Sequence, residues 1–240
     1  MTIVKEVPNN RKTITTKWVF TIKRDEHNNI TKYKARLVAR GFTKVFGIDF
    51  ELTYFCTLNS DSLKFIISIA SYLKWNIYQL EVKAAYLNAN LDKDIYTTIP
   101  PGDKNYKKGF WKLNKALYGL RQSGRQWFET ISIFIKEQGF HQLKSDPCIF
   151  RKLKNNKIIC LIGIYVNDDM IISCSNYEIN DIINKIKSKF KIFNYGPIKY
   201  LLGITIEQTK FEYRISQTNF IENLLSYNIK ITQNKRTNIP

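Results

Sequence analysis

The alternation of apolar and polar positions is clearest over 158–174, where two apolar runs flank the short cluster YVNDD at 165–169. Two β-favouring runs joined by a short polar cluster are typical of a β-hairpin. The sequence therefore predicts a hairpin here, with Asp168 and Asp169 in its turn. Two adjacent carboxylates between apolar strands are costly unless something compensates their charge, and a bound divalent cation would do so. The alternative is an ordinary solvated Asn-Asp-Asp turn.

The rest of the chain divides by the same criterion into strands of period two and helices with apolar spacings of three and four. Further strands are predicted at 17–23, 30–39, 76–82, 94–99, 111–117, 149–153, 201–208 and 211–215. Helices are predicted at 62–75, 119–139, 176–190 and 217–227, the first capped by Asp61 or Ser60, with a loop at 191–200. Strand–helix and hairpin–helix units over one mixed sheet predict an α+β fold, in one large domain or two small ones, followed by a polar tail at 232–240.

A third carboxylate, Glu81, lies at the end of the apolar strand 76–82, where the chain turns into a helix. Acidic residues in that position are common metal ligands. An α+β fold can bring Glu81 beside the hairpin that carries Asp168 and Asp169. Hard oxygen donors without a nearby His or Cys suit Mg²⁺. The alternative for Glu81 is a salt bridge on an edge strand, with Lys83 as partner.

Charge and cysteine usage narrow the classes of partner. Lys and Arg number 38 against 20 Asp and Glu, a net charge of +18. This excess favours a polyanion such as nucleic acid or an acidic membrane surface, although a coding sequence rich in Lys, Asn and Ile codons would produce it without selection for binding. The four cysteines show no CxxC spacing, which argues against a zinc site or a disulfide framework. Without an apolar signal core or an apolar run near the ~20 residues of a membrane helix, the chain is expected to be intracellular, in the cytoplasm, not secreted and without a membrane partner.

Blocks spread over about 17–225 resemble, in order, the reverse transcriptase domain of copia-type long-terminal-repeat retrotransposons. They read KWVFTIKRDE, YKARLVARGFTKVFGIDFELT, WNIYQLEVKAAYLNANL, IYTTIPPGD, WKLNKALYGLRQSGRQWF, GFHQLKSDPCIF, IYVNDDMII, IKYLLGITIE and ISQTNFIENLL. Many ordered blocks make a more specific signal than a lone Asp-Asp pair.

The resemblance implies a right-hand polymerase fold in a single domain over 1–231. This fold has a palm made of a mixed or antiparallel sheet with packed helices, fingers around the early hairpin and the start of a thumb near the C-terminus. It implies an RNA-directed DNA polymerase that uses two Mg²⁺ ions, or Mn²⁺ in their place, for nucleotidyl transfer onto a primer 3′-hydroxyl. The implied partners are an RNA or DNA primer-template and deoxynucleoside triphosphates. The chain would then be one segment of a retrotransposon polyprotein, or a remnant of one.

The resemblance also implies roles for individual residues. Glu81 falls at the position of the first catalytic Asp, and Asp168 and Asp169 fall at the catalytic Asp-Asp pair, so all three are expected to bind metal. The nucleotide-binding residues implied are Lys34 and Arg36 at the triphosphate, Tyr86 beside the sugar, and Tyr118 and Gln122 near the incoming base and template. The pair Leu202-Gly203 matches an element near the primer end.

Four departures from the family pattern bear on activity. Glu81 replaces Asp and moves the carboxylate outward by one methylene, in a site where ~0.5 Å matters. Asn167 adds a residue to the Tyr-Val-Asp-Asp motif: either Asn167 is inserted, or it takes the first Asp position and Asp169 is the extra residue. Gly124 stands where the family has Pro, and Lys64 where it has Arg. We therefore expect an impaired polymerase; the alternative is a catalytically inactive remnant that only binds primer-template.

Overall fold

A computed structural model describes residues 1–24, 29–41, 47, 50, 53, 55–209, 212–218, 220–222 and 224–225. Unit 1 comprises 1–56 and 84–138, and unit 2 comprises 57–83 and 139–240. Both units combine strands with helices, which confirms the predicted α+β class. The prediction of a single domain over 1–231 stays untested, and the polar tail at 232–240 lies outside the described residues.

Most of the described elements match predicted ones, with their ends shifted by a few residues, whereas the short strands Thr2–Val4 and Phe140–Gln142 were not predicted. The strands are β1 (Thr2–Val4), β2 (Thr16–Arg24), β3 (Ile30–Ala39), β4 (Asn76–Val82), β5 (Asn90–Thr98), β6 (Phe110–Lys115), β7 (Phe140–Gln142), β8 (Ile149–Lys154), β9 (Lys157–Tyr165), β10 (Asp168–Ser173), β11 (Ile192–Pro197), β12 (Tyr200–Leu201), β13 (Ile204–Gln208) and β14 (Tyr213–Ser216). The helices are α1 (Ser60–Leu73), α2 (Ser123–Glu137) and α3 (Asn176–Lys189), with a 3₁₀ helix at Ala85–Asn88.

Unit 1 contains two small antiparallel sheets. One has the order β1-β6-β5, and the other is the predicted early hairpin β2–β3. A buried cluster of Ile14, Ala39, Ile95, Leu113, Leu117 and Leu120 packs at the end of β3. The amide of Ala39 donates to the carbonyl of Tyr118 at 2.8 Å, which ties β3 to the loop before α2. At Gly119, where φ is +90°, a Cβ would lie 2.0 Å from the carbonyl oxygen of Ala39, so only glycine permits this approach.

Unit 2 is built on a six-stranded sheet with the order β11-β4-β10-β9-β8-β7, beside a three-stranded sheet β12-β13-β14. Every strand ladder in the described residues is antiparallel. The sheet is therefore antiparallel in its described ladders, one of the two arrangements, mixed or antiparallel, that were expected for it. The hairpin β9–β10 and strand β4 form the centre of the sheet.

Two capped helices belong to unit 2. The side chain of Asn59 accepts hydrogen bonds from the amides of Asp61 and Ser62 and caps α1, so the predicted capping by Asp61 or Ser60 is wrong by one or two residues. Ser175 caps α3 by accepting from the amide of Glu178. Because α3 begins directly after β10 and packs on β9 and β10, it fixes the hairpin from its base.

One predicted loop is a strand. The stretch 191–200 contains β11, which pairs with β4 from Ile192 to Pro197. Its Asn, Gly and Pro residues indicated a loop, but pairing with a distant strand overrides that local preference. The helix predicted at 217–227 and the strand predicted at 211–215 lie partly outside the described residues. Among the helices that are described, none is long and apolar enough to cross a membrane.

Candidate active site

The centre of the large sheet brings two carboxylates face to face. In the ladder between β4 and β10, Asp168 is the direct partner of Glu81. Directly opposed residues share one face of the sheet, with their Cβ atoms ~4.5–5.5 Å apart. Both side chains are partly exposed. Glu81 and Asp168, which are 87 positions apart, thus converge at one end of the sheet, and β4 is not an edge strand because β11 flanks it. The edge-strand position assumed in the alternative for Glu81 is therefore wrong.

The two aspartates of the hairpin are not equivalent, and they do not lie in the turn as predicted. They are the first two residues of β10, so their side chains point to opposite faces. Asp169 is opposite Leu80 and Ile164, which are fully buried. Its own exposed fraction is 1%, and neither carboxylate oxygen has a hydrogen-bond partner in the described residues. The geometry therefore does not support Asp169 as a metal ligand beside Glu81.

Burial changes the acidity of Asp169. The loss of solvent raises its pKa to about 8, and the nearby charge of Asp168 adds to the rise. Where no cation is bound, burial therefore favours the protonated form of Asp169.

The turn of the hairpin is Val166–Asn167, because Tyr165 and Asp168 are directly paired. Val166 has φ of +56°, a conformation that β-branched residues rarely adopt. The backbone oxygen of Asn167 accepts from the amide of Val82 at 2.7 Å, which attaches the turn to the end of β4. The side-chain oxygen of Asn167 is buried without a hydrogen-bond partner among the described residues. In this register Asn167 occupies the turn position and Asp168, not Asp169, is the strand carboxylate that faces Glu81.

A residue that the sequence analysis missed also contacts Glu81. The hydroxyl of Tyr195 on β11 donates to Oε2 of Glu81 at 2.5 Å. This hydrogen bond, followed by partial burial, raises the pKa of Tyr195 to about 12. Phe193 is the ladder partner of Glu81, and Lys83 places its Nζ 3.6 Å from the Phe193 ring centroid. The sequence analysis missed Tyr195 because it predicted a loop at 191–200, where the structure has strand β11.

These donors fit an oxygen-preferring divalent cation, although not as the predicted three-carboxylate set. Among the described residues, no group of three or more Asp, Glu, His or Cys side chains could hold a metal ion. What the sheet does offer is the carboxylate pair of Glu81 and Asp168, with the amide oxygen of Asn167 in the adjacent turn. Hard oxygen donors of this kind are typical for Mg²⁺ and Mn²⁺.

The residues expected to bind nucleotide belong to unit 1, and three of them are in contact. The rings of Tyr86 and Tyr118 lie 4.6 Å apart, and the Arg36 guanidinium lies 5.9 Å from the Tyr118 ring centroid. Lys34 is two residues from Arg36 on β3, so both point to the same face. Gln122 differs, because it is fully buried at the start of α2, and contact between its side chain and a nucleotide is not supported. These roles stay predictions.

The remaining element implied by the resemblance is the pair Leu202-Gly203. It forms the turn between β12 and β13, and both residues have positive φ, 52° and 80°. The turn is therefore an ordered feature of unit 2 whose contact with a primer remains a prediction.

Comparison with known proteins gives concordant results. The family described as "Reverse transcriptase (RNA-dependent DNA polymerase)" matches residues 1–240. The chain is 35% identical, over 94% of its length, to the "Retrovirus-related Pol polyprotein from transposon TNT 1-94" of Nicotiana tabacum, of which it covers 17%. It is 31% identical over 90% of its length to the corresponding polyprotein of transposon RE1 from Arabidopsis thaliana, covering 15% of it. It is 33% identical over 85% of its length to the "Transposon Ty1-BL Gag-Pol polyprotein" of Saccharomyces cerevisiae, covering 11% of it.

The chain therefore spans less than a fifth of each of these polyproteins. The relatives are copia-type elements, so the resemblance in the ordered blocks is confirmed, and with it the assignment of a polymerase palm to the sheet that carries Glu81 and Asp168. Because the family match extends over the whole chain, this protein belongs to the reverse transcriptase (RNA-dependent DNA polymerase) family.

Proposed function

We propose that this chain is the RNA-directed DNA polymerase domain of a retrotransposon polyprotein, and that Glu81 and Asp168 hold its catalytic Mg²⁺. The observation that carries the proposal is the direct pairing of these carboxylates on adjacent strands. Bound divalent ions would stabilise the attacking 3′ oxygen of the primer and the leaving pyrophosphate oxygen. The family match supplies the reaction class, and the net charge of +18 favours a nucleic-acid substrate.

The proposal gives the unit 1 residues a role in nucleotide binding. Arg36 and Lys34 present two cations on one face of β3, which suits the phosphates of a deoxynucleoside triphosphate. The rings of Tyr86 and Tyr118 are in contact at an interplanar angle of 47° and form an aromatic pair. In this proposal the Tyr86 ring excludes a ribose 2′-hydroxyl sterically, and Tyr118 supports the ring while contacting Arg36.

We further propose that this copy is a slow polymerase. The residue in the hairpin turn, Asn167, is a neutral amide, and Asp169 is turned into the core. The metal ions would thus have one anionic ligand fewer than the three carboxylates that the resemblance implies. Misplacing a ligand by about 1 Å can reduce the rate on the order of 100-fold, and loss of a charged ligand is at least as severe.

The second candidate function is primer-template binding without catalysis. The incomplete carboxylate set favours it, since the basic surface would remain when metal binding fails. A binding module would show no nucleotide incorporation in Mg²⁺ or Mn²⁺. Its affinity for a hybrid duplex would still fall steeply with salt, because phosphate contacts release counterions.

Primer extension on an RNA template separates these functions. Asp168→Asn and Asp169→Asn form a matched pair, because the two residues are adjacent but point to opposite faces. We expect slow, metal-dependent extension by the unaltered protein, no measurable extension by Asp168→Asn, and no more than a threefold change for Asp169→Asn. We also expect Asn167→Asp to increase the rate at least about tenfold by adding an anionic ligand.

The outcomes are distinct. If both aspartate substitutions abolish extension equally, Asp169 is also a ligand and the assignment of the metal site fails. If the unaltered protein and Asn167→Asp both lack incorporation in either metal while duplex binding persists, the binding-only function is correct. Rapid extension by the unaltered protein in Mg²⁺ would refute the proposed impairment.

A further inference from the structure

Tyr195 owes its position to a β-bulge in the edge strand β11. The ladder between β11 and β4 pairs Asn194 with Leu80 and Gly196 with Gln79, so Tyr195 is the extra residue between them. The amide of Gly196 donates to Oδ1 of Asn194 at 2.9 Å, and Gly196 has φ of +73°, which glycine adopts readily. Bulges of this kind re-aim a side chain and are common next to active sites.

The bulge brings the Tyr195 hydroxyl to one oxygen of Glu81. The hydroxyl donates to Oε2, because an ionised carboxylate only accepts hydrogen bonds. The rings of Tyr195 and Phe193 are stacked, with centroids 6.4 Å apart, and this contact limits the rotation of Tyr195. Tyr195 is 54% exposed, so burial of its ring does not account for its position.

The contact suits the Glu81 side chain, which is one methylene longer than the Asp that the resemblance implies at this position. A glutamate has one more rotatable bond than an aspartate, and fixing such a side chain has a conformational entropy cost. The tyrosine hydroxyl holds the longer side chain in one conformation, whereas an aspartate on the same backbone would be one methylene too short to reach it.

We propose that Tyr195 is a positioning residue for Glu81, which fixes the glutamate carboxylate so that it can serve as a metal ligand where the family has Asp. This inference rests on the proposed function, since it takes Glu81 to be a ligand. Tyr195 and Glu81 then act as a pair, so the contribution of each residue to metal affinity depends on the presence of the other. A purely structural contact between β11 and β4 would stabilise the fold without affecting metal affinity.

A double-mutant cycle on Mn²⁺ binding tests the inference without requiring catalysis. Free Mn²⁺ is measured by electron paramagnetic resonance during titration of the unaltered protein, Tyr195→Phe, Glu81→Asp and the double variant. We expect Tyr195→Phe to weaken Mn²⁺ binding about tenfold, the ratio that corresponds to one hydrogen bond to a charged group. In the Glu81→Asp background the same substitution should change the affinity less than about twofold, because the two effects are coupled. Tyr177→Phe is the control, since Tyr177 is an exposed tyrosine on the helix that follows β10.

Two results would overturn the inference. Tyr195→Phe could leave Mn²⁺ affinity within twofold and lower only the melting temperature, which would make the contact structural. It could instead tighten Mn²⁺ binding, which would mean that the hydroxyl competes with the metal for Glu81. Glu81→Gln separates these failures from a failure of the proposed function: if it leaves Mn²⁺ binding unchanged, Glu81 is not a ligand and the metal site itself is wrong.

Discussion

Because of Asp169, the free energy of unfolding of this protein should fall as the pH rises, and Asp169→Asn should remove this fall. The pKa of Asp169 is about 8 in the folded chain against 3.8 for an ordinary Asp. The folded state therefore holds the Asp169 proton more tightly than the unfolded state. The stabilisation that this proton provides is fully present below the pKa of Asp169 in the unfolded chain. That contribution is lost as pH rises through the folded pKa.

The size of the effect follows from the two pKa values. Within the window from about 4 to about 8, each pH unit lowers the free energy of unfolding by about 1.4 kcal/mol. Between pH 5 and pH 7, Asp169 alone should therefore reduce stability by about 3 kcal/mol. Asp169→Asn keeps the shape of the protonated acid but has no proton to lose, so the variant should lack this decline and be the more stable protein at pH 7.

Urea unfolding at pH 5, 6, 7 and 8, in EDTA to exclude metal binding, measures the difference between the two proteins. Other titrating groups contribute equally to both, so the difference isolates Asp169. Asp92→Asn is the matched control, because Asp92 is an exposed aspartate on β5. Parallel stability curves for the unaltered protein and Asp169→Asn would refute the burial of this carboxyl group.

Three further predictions concern unit 1. Tyr86→Ala should relax discrimination against ribonucleotides, because in the proposed function its ring excludes a 2′-hydroxyl; unchanged sugar selectivity in single-nucleotide incorporation would contradict this. Neutralising Lys34 and Arg36 to Gln should weaken triphosphate binding more than duplex binding, and equal losses in fluorescence titrations would identify them as general phosphate contacts. Gly124→Ala should destabilise the fold by about 1–3 kcal/mol, because a Cβ there would lie 2.3 Å from the Phe55 ring. Phe55→Ala should reduce that cost, and an equal loss of melting temperature in both backgrounds would show that the clash is not the cause.

Local sequence determined much of the palm. The strand at 76–82 was predicted with the observed ends, and the hairpin over 158–174 was predicted as β9 and β10. Short-range signals suffice there, because apolar alternation and a short polar cluster decide whether a strand or a turn forms. The ordered blocks also indicated the family, since many blocks in the family's order are a more specific signal than one short motif.

Only the tertiary structure decided which carboxylates meet. The side-chain period of a strand is two, so a turn of two residues puts Asp168 opposite Glu81 and sends Asp169 into the apolar layer, whereas a shift by one residue would exchange them. That shift is invisible in the sequence YVNDD. Tyr195 was missed for a related reason: its strand and its bulge exist because β11 pairs with β4, more than 100 positions earlier in the chain, and local residue preferences carry no information about so distant a partner.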